Sequence, residues 1–351
     1  MIPDTWRALV LAPPRAFEAP RCRATMRRVP EDFIVEEQLG FAPSGTGEHV
    51  LLKVRKREAN TGWVARELAM LAGMRPHDVG YAGMKDRQAV ATQWFTVPGR
   101  RRPAAEWAGV RGEGFEVLEA HAHSRKLPRG ALAGNHFTIV LRDLAGDAGA
   151  LEAQVRHAAL HGVPNYFGPQ RFGRDLSNLA TLLALPAGRA PARFVLSAAR
   201  SLVFNAVLAA RVADGSWNRL RDGDRANLDG RNSVFAVPAV DEVLARRVEE
   251  LDLHPTGPLW GVGEPGVSGE VAALEARIAA DFPEACAAIL AAGADASRRP
   301  LRLALRDLHF EWLEARSACR VCFSLRSGSF ATAVIREWLD ADGAPQEDED
   351  A

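Results

Sequence analysis

Asp86 stands between Lys85 and Arg87 in the run GYAGMKDRQAVATQWFT (80–96), a glycine-punctuated turn ahead of the apolar pair Trp94 and Phe95. Aspartate titrates near 3.9 in model peptides, so at neutral pH this side chain is ionised and can act as a nucleophile or a base. Glycosidases, for example, set such a carboxylate beside an anomeric carbon to meet its developing positive charge. The plainer reading of a KDR triplet is a turn whose acid pairs with its neighbours. Other chemistries leave weaker marks. The chain has no P-loop, no HExxH and no G-x-S-x-G elbow, and His49, His136 and the other histidines lack metal-ligand spacing. Gly261, Gly263 and Gly266 fit G-x-G-x-x-G, but Pro265 and the lack of a preceding apolar strand point to loop glycines. No cofactor and no metal are expected.

Cys319 and Cys322 form a CxxC without a second pair, in a segment that alternates like a strand and turns the two thiols to opposite faces. With no export signal in MIPDTWRALVLAPPRAF, four cysteines read as reduced, buried structural thiols of a cytoplasmic protein. No window holds 18 successive apolar residues, so no membrane partner is expected.

Length bounds the organisation. A chain of 351 residues with 47% hydrophobic and 25% charged content buries a full core and exceeds one ordinary domain, so two are expected. Lys and Arg number 44, as do Asp and Glu, but the balance is uneven: residues 1–135 carry 21 basic against 15 acidic, and residues 241–296 carry 3 against 11. A basic part of this kind fits a surface for a polyanion such as RNA, and equally a solvated charged face.

The elements that must position Asp86 are short strands rich in β-branched and aromatic residues at Phe33 to Gln38, His49 to Arg55, Gln93 to Val97, Phe115 to Ala120 and His136 to Leu141. A helix over Thr61 to Leu71, capped by Asn60 and closed by Gly73, and another over Ala150 to Leu160 join them. This is an α+β pattern with an antiparallel sheet. After Gly162 the pattern turns helical, with Ser197 as the cap of an amphipathic stretch and further helices near 240–252 and 269–281. A strand at Ala318 to Leu325 and a helix near Phe330 to Leu339 return at the end, so an inserted helical domain is expected. Residues 340–351, polar and acidic, read as a disordered tail.

The stretch around Asp86 resembles the catalytic signature of the TruD family of tRNA pseudouridine synthases. The likeness continues in family order through RRVPEDFIVEE (27–37), GTGEHVLLKVRKREANT (45–61), KLPRGALAGNHFTIVLR (126–142), GVPNYFGPQRFG (162–173), SAARSLVFNAVLAARV (197–212) and SGSFATAVIRE (327–337), nearly the full chain.

The resemblance implies a pseudouridine-synthase-like catalytic domain (1–160 and 307–339) interrupted by the family's own, largely helical domain (161–306). It implies isomerisation of a uridine at position 13 of tRNA, with Asp86 as catalytic carboxylate and the base swung out of the RNA. Phe33, Asn135, Phe137 and Phe330 are then the residues that receive the base, Phe137 standing where related synthases use a tyrosine. A cation should position the carboxylate or offset the charge of the uracil anion; Arg27 and Lys85 are the candidates, the sequence does not choose between them, and either is equally read as a phosphate contact or a surface charge. Lys53, Arg55, Lys56 and Arg57, at a strand end before a helix N-terminus, are the phosphate candidates. The expected partner is tRNA, met by a monomer with no obligatory protein partner. The alternatives are a catalytically inactive RNA-binding protein and a nucleoside hydrolase.

Overall fold

The computed structural model describes residues 1–186 and 188–342, and the chain divides into two compact units. One comprises Cys22–Ala148, Arg306–Gly328 and the stretch from Asp340; the other comprises Met1–Arg21, Gly149–Leu305 and Ser329–Leu339.

The first unit is built on an eleven-stranded sheet. Its main path runs Arg306–Leu313, Ala318–Arg326, Gly134–Gly146, Phe33–Gln38, Val90–Pro98, His49–Arg57, Phe115–His123 and Arg111–Gly112. Neighbours pair antiparallel except Phe33–Gln38 with Val90–Pro98 and Cys22–Met26 with Asp340–Asp342. Strand formation follows from composition: FIVEEQ alternates buried and outward residues, and HVLLKVRKR does so from Leu52 onward, while Leu51 is buried on the opposite face with Trp94 and Leu127. The helix Thr61–Leu71 buries Thr61, Val64, Ala65, Leu68 and Ala69, one stripe at helical spacing. That stripe packs on Val50, Leu52, Val54, Phe95 and Val97. Asn60 occupies the cap position without a side-chain cap bond, and Gly73, with φ of +64°, turns the chain away after the helix.

The second unit centres on the helix Arg193–Ala213, with Leu202, Val203, Phe204 and Leu208 fully buried. This helix is long and apolar enough to span a membrane, yet most of it is buried within the protein, as in the core helix of a globular domain. Ser197 lies one turn inside it and is not its cap; its Oγ accepts a hydrogen bond from Arg171 at 3.2 Å. Helices dominate, but a four-stranded antiparallel sheet joins them: Val234–Val237, Asp224–Leu228, Leu253–Leu259 and Ser297–Pro300. Pro255 and Pro258 hide the third of these strands from a sequence reading. A strand therefore does precede Gly261, and those glycines form the loop between it and the helix Gly269–Ala280.

The unit boundaries depart from the sequence expectation at three places, each for a packing reason. Residues 1–21 group with the second unit because the helix Asp4–Leu11 buries Trp6 and Val10 there, Trp6 lying 5.6 Å from Phe282. Residues 149–160 go with it too: their helix buries Leu151, Val155 and Ala158, and His157 meets Phe17 edge-on at 4.7 Å. So does the helix Ala331–Trp338, where Glu337 accepts from the Ala16 amide at 3.0 Å. In the expected tail, Asp340–Asp342 forms a strand beside Arg23–Thr25, and residues 343–351 lie outside the described residues. Cys22 and Cys319 are buried and Cys286 and Cys322 half-buried, none of them in a disulfide; burial pushes Cys319 up to about 12.

Candidate active site

Strand alternation decides which side chains share a surface. In the Phe33–Gln38 strand, Phe33, Val35 and Glu37 point one way, and their cross-strand partners in Gly134–Gly146 are Ile139, Phe137 and Asn135. Val35 pairs with Ala91 and Ala91 with Lys56, so Lys56 and Gln93 face the same side. The loop from Ala82 to Ala89 crosses this face, held from beneath by four side chains. Gln93 Nε2 donates to the Gly83 carbonyl at 2.6 Å, and the Lys85 amide donates to Thr61 Oγ1 at 3.0 Å. Lys56 Nζ donates to the carbonyls of Asp86 at 2.7 Å and Lys85 at 3.2 Å, and Glu37 takes the Lys85 ammonium. A loop of this sequence would otherwise have only its few backbone bonds to fix it.

Asp86 rides on that loop with its side chain 16% exposed, and Arg27, only 2% exposed, donates from Nη2 to Oδ2 at 2.5 Å. The guanidinium carbon lies 3.7 Å from the centre of the Phe33 ring, Phe33 meets Phe137 edge-on at 6.1 Å, and Phe137 meets Phe323 at 5.5 Å. The cation beside Asp86 is therefore Arg27. Lys85 pairs instead with Glu37, both nearly fully buried. Arg27 takes φ of 61°, a left-handed conformation rare for a residue with a side chain, at the end of the strand Cys22–Met26.

Two buried ionisable groups support the loop. Burial pushes the Glu37 carboxyl up from the usual range, opposed by Lys85 and by the Trp94 amide, which donates at 2.9 Å. Burial pulls the Lys56 ammonium down to about 8, against the charge of Asp86.

The structure thus brings Asp86, Arg27, Lys85, Phe33, Asn135 and Phe137 onto one face of one unit. Asn135 Oδ1 is buried and has no hydrogen-bond partner among the described residues. Phe330 belongs to the other unit, where it packs beside Arg171. Lys56, expected among the phosphate candidates, is turned inward: it is 1% exposed and donates a third bond to the Ala59 carbonyl at 2.8 Å. Lys53, Arg55 and Arg57 do reach solvent, each paired with a carboxylate: Glu119 at 2.8 Å, Glu116 at 2.8 Å and Glu31 at 2.7 Å. Sequence reasoning passed over Glu37, Thr61 and Gln93. The available signal was an acid in register with Phe33 and Val35 on an inward-facing strand edge.

A carboxylate fixed by a buried guanidinium, above aromatic rings and beside a buried amide oxygen, can attack a carbon or take a proton next to a flat polar ring. Comparison with known proteins converges on one family. The model of tRNA pseudouridine synthase D (TruD) matches residues 14–183 and 188–338. A tRNA pseudouridine synthase D from Methylococcus capsulatus is 47% identical over 335 residues, 94% of each chain, and one from Xanthomonas axonopodis pv. citri is 43% identical over 348 residues, covering 93% of this chain and 94% of that protein. A crystal structure described as a candidate tRNA pseudouridine synthase D from Methanosarcina mazei superposes with a TM-score of 0.74 at 20% identity, over 96% of this chain and 98% of that one, and so shares the fold. The chain belongs to the TruD family of tRNA pseudouridine synthases.

Proposed function

We propose that this protein isomerises a uridine of tRNA to pseudouridine, at position 13, with Asp86 as the catalytic carboxylate. The observation that carries the reading is the Arg27–Asp86 pair at 2.5 Å, set on a loop pinned to the sheet by Lys56, Glu37, Thr61 and Gln93. Uridine and pseudouridine have the same atoms. The N1–C1′ bond breaks, a C5–C1′ bond forms, and the proton lost from C5 is balanced by one gained at N1.

Asp86 opens the reaction in one of two ways. Its oxygen adds to C1′ as the uracil ring departs with the bonding electrons, or it removes the C2′ proton as the ring departs. Arg27 holds the carboxylate in one orientation, so little rearrangement is left for the moment of reaction. The buried guanidinium also supplies positive charge next to the departing uracil anion. Phe33 and Phe137 give the swung-out base an apolar floor, and Asn135 Oδ1 is an acceptor for an N–H on its polar edge. Unpairing and unstacking the nucleotide costs about a few kcal/mol, which these contacts offset. Phosphates of the tRNA meet Lys53, Arg55 and Arg57 at the end of the same sheet, and one copy of the chain supplies all of these groups.

The test is incubation of purified protein with an unmodified tRNA transcript, followed by chemical mapping of pseudouridine, beside Asp86→Asn. The native protein is expected to modify position 13 and the variant to leave the transcript unchanged. Equal product from both would remove Asp86 from its role. Release of free uracil would assign a hydrolase, and binding without product an inactive RNA-binding protein.

A further inference from the structure

We propose that Lys56 is a positioning residue for the reaction: its protonated ammonium clamps the backbone on which Asp86 is carried, and losing that proton releases the carboxylate from its working position. The inference rests on the reading of Asp86 as the catalytic group.

Three N–H donors of one ammonium meet three carbonyls. Nζ donates to Ala59 at 2.8 Å, to Lys85 at 3.2 Å and to Asp86 at 2.7 Å. A lysine has three donors and no acceptor, so these bonds use its full capacity. Two of the carbonyls belong to Lys85 and Asp86 and the third to the turn before the Thr61–Leu71 helix, which ties the loop to the rigid end of the His49–Arg57 strand. With the residue 1% exposed, water has little access to replace a lost bond. A neutral amine would keep only two donors and would have to turn its lone pair toward one of the three oxygens, which repel it.

The charged groups that face this ammonium are Asp86 and Lys85 from the loop and Glu37 from the Phe33–Gln38 strand. Asp86 and Glu37 favour its charge, and Lys85 and burial oppose it, leaving it at about 8. The clamp is therefore closed at neutral pH and opens across a mildly alkaline range. Asp86 moves off line from Arg27 while the exposed cations Lys53, Arg55 and Arg57 are unaffected, so the effect belongs to turnover and not to substrate capture.

The experiment is a pH series of pseudouridine formation on an unmodified tRNA transcript, at saturating and at low tRNA, for native protein, Lys56→Met and Asp86→Asn. Folding is checked by circular dichroism. Lys56→Met is expected to lower kcat at pH 7.5 by roughly a hundredfold, the loss that small misplacement of a reacting group produces, with KM for tRNA and the salt dependence of binding unchanged. The native kcat should fall above a midpoint near pH 8, and Lys56→Met should lack that fall. A raised KM with a shallower salt slope would make Lys56 a phosphate contact and overturn the proposal, as would native kcat in the variant. Should Lys56→Met not fold, the native profile alone decides, and a kcat that stays level to pH 9.5 overturns the clamp. Asp86→Asn separates the two layers: if that variant is active the assignment of Asp86 has failed, whereas if it is inactive and Lys56→Met is fully active, only the clamp has failed.

Discussion

Arg27 reaches Asp86 at 2.5 Å from a backbone held at φ of 61°. The two facts are linked, since the left-handed turn directly after Met26 is what aims the guanidinium over Phe33 and onto the carboxylate. For a residue with a Cβ that conformation costs about 1–2 kcal/mol, so folding stability is given up to place one charge.

Two substitutions separate placement from strain. Arg27→Ala and Arg27→Gly both remove the guanidinium and should both lower kcat by about 10²-fold or more, the usual scale for losing a fixed charge at a reacting centre. Glycine tolerates positive φ, so Arg27→Gly should unfold at higher urea than Arg27→Ala, by about 1 kcal/mol. Equal stability of the two would mean that the turn at residue 27 relaxes once the ion pair is gone.

The Glu37–Lys85 pair is nearly fully buried and gives a second test. Lys85→Met leaves a buried carboxylate without its cation and should destabilise the fold by about 3–5 kcal/mol. The double change Glu37→Met with Lys85→Met should recover most of that loss, because neither charge then needs solvation. Equilibrium urea unfolding of the two single variants and the double variant measures the coupling. The remaining penalty of Lys85→Met should shrink in acid: burial raises the Glu37 carboxyl above its unfolded value, so protonation relieves it as pH falls through that raised range.

Salt dependence tests the exposed cations. Arg57 reaches solvent and is paired with Glu31 and Glu58, so a tRNA phosphate must compete with carboxylates for it. If it does so, Arg57→Ala should reduce the slope of log K against log salt by about 1, and Glu31→Gln should tighten tRNA binding. Filter binding or anisotropy across a salt series measures both. An unchanged slope for Arg57→Ala would assign this cation to the Glu31 pair alone.

Alternation made the first unit legible. Phe33–Gln38 and Thr61–Leu71 have the bounds their residue patterns imply, and Asp86 with its aromatic and amide neighbours follows from the blocks that carry the family resemblance. What stayed hidden was set by tertiary pairing. Nothing local distinguishes Arg27 from Lys85 as the partner of Asp86; the choice depends on the Cys22–Met26 strand ending beside the loop. Lys56 is more instructive. It sits in a basic cluster that reads as an RNA surface, yet Val50, Leu52, Val54 and Lys56 form a strict period of two, and that period turns the lysine inward with its apolar neighbours. The strand Leu253–Leu259 was missed for the opposite reason, since its two prolines remove the local signature that pairing with Ala226 and Arg298 overrides.

The same inward lysine makes a prediction about stability against pH. Its folded value is about 8, below the 10.5 of a lysine in water, so between these limits the unfolded chain binds a proton that the folded chain has released. Stability gained from this group is fully present above the unfolded value and is lost as pH falls through the folded one. The native protein should therefore gain up to about 3 kcal/mol relative to Lys56→Met as pH rises from 7.5 toward 10.5, at 1.36 kcal/mol per unit of separation. Denaturant unfolding of both proteins at pH 7.5, 9 and 10 reads the difference directly. Since kcat should fall across the same interval, the two measurements are expected to move in opposite directions: resistance to global unfolding rises, because a charge no longer has to be buried, while the loop that carries Asp86 is released. Parallel curves for native and variant proteins would show that Lys56 keeps its proton throughout, held by its three carbonyls more strongly than burial opposes it.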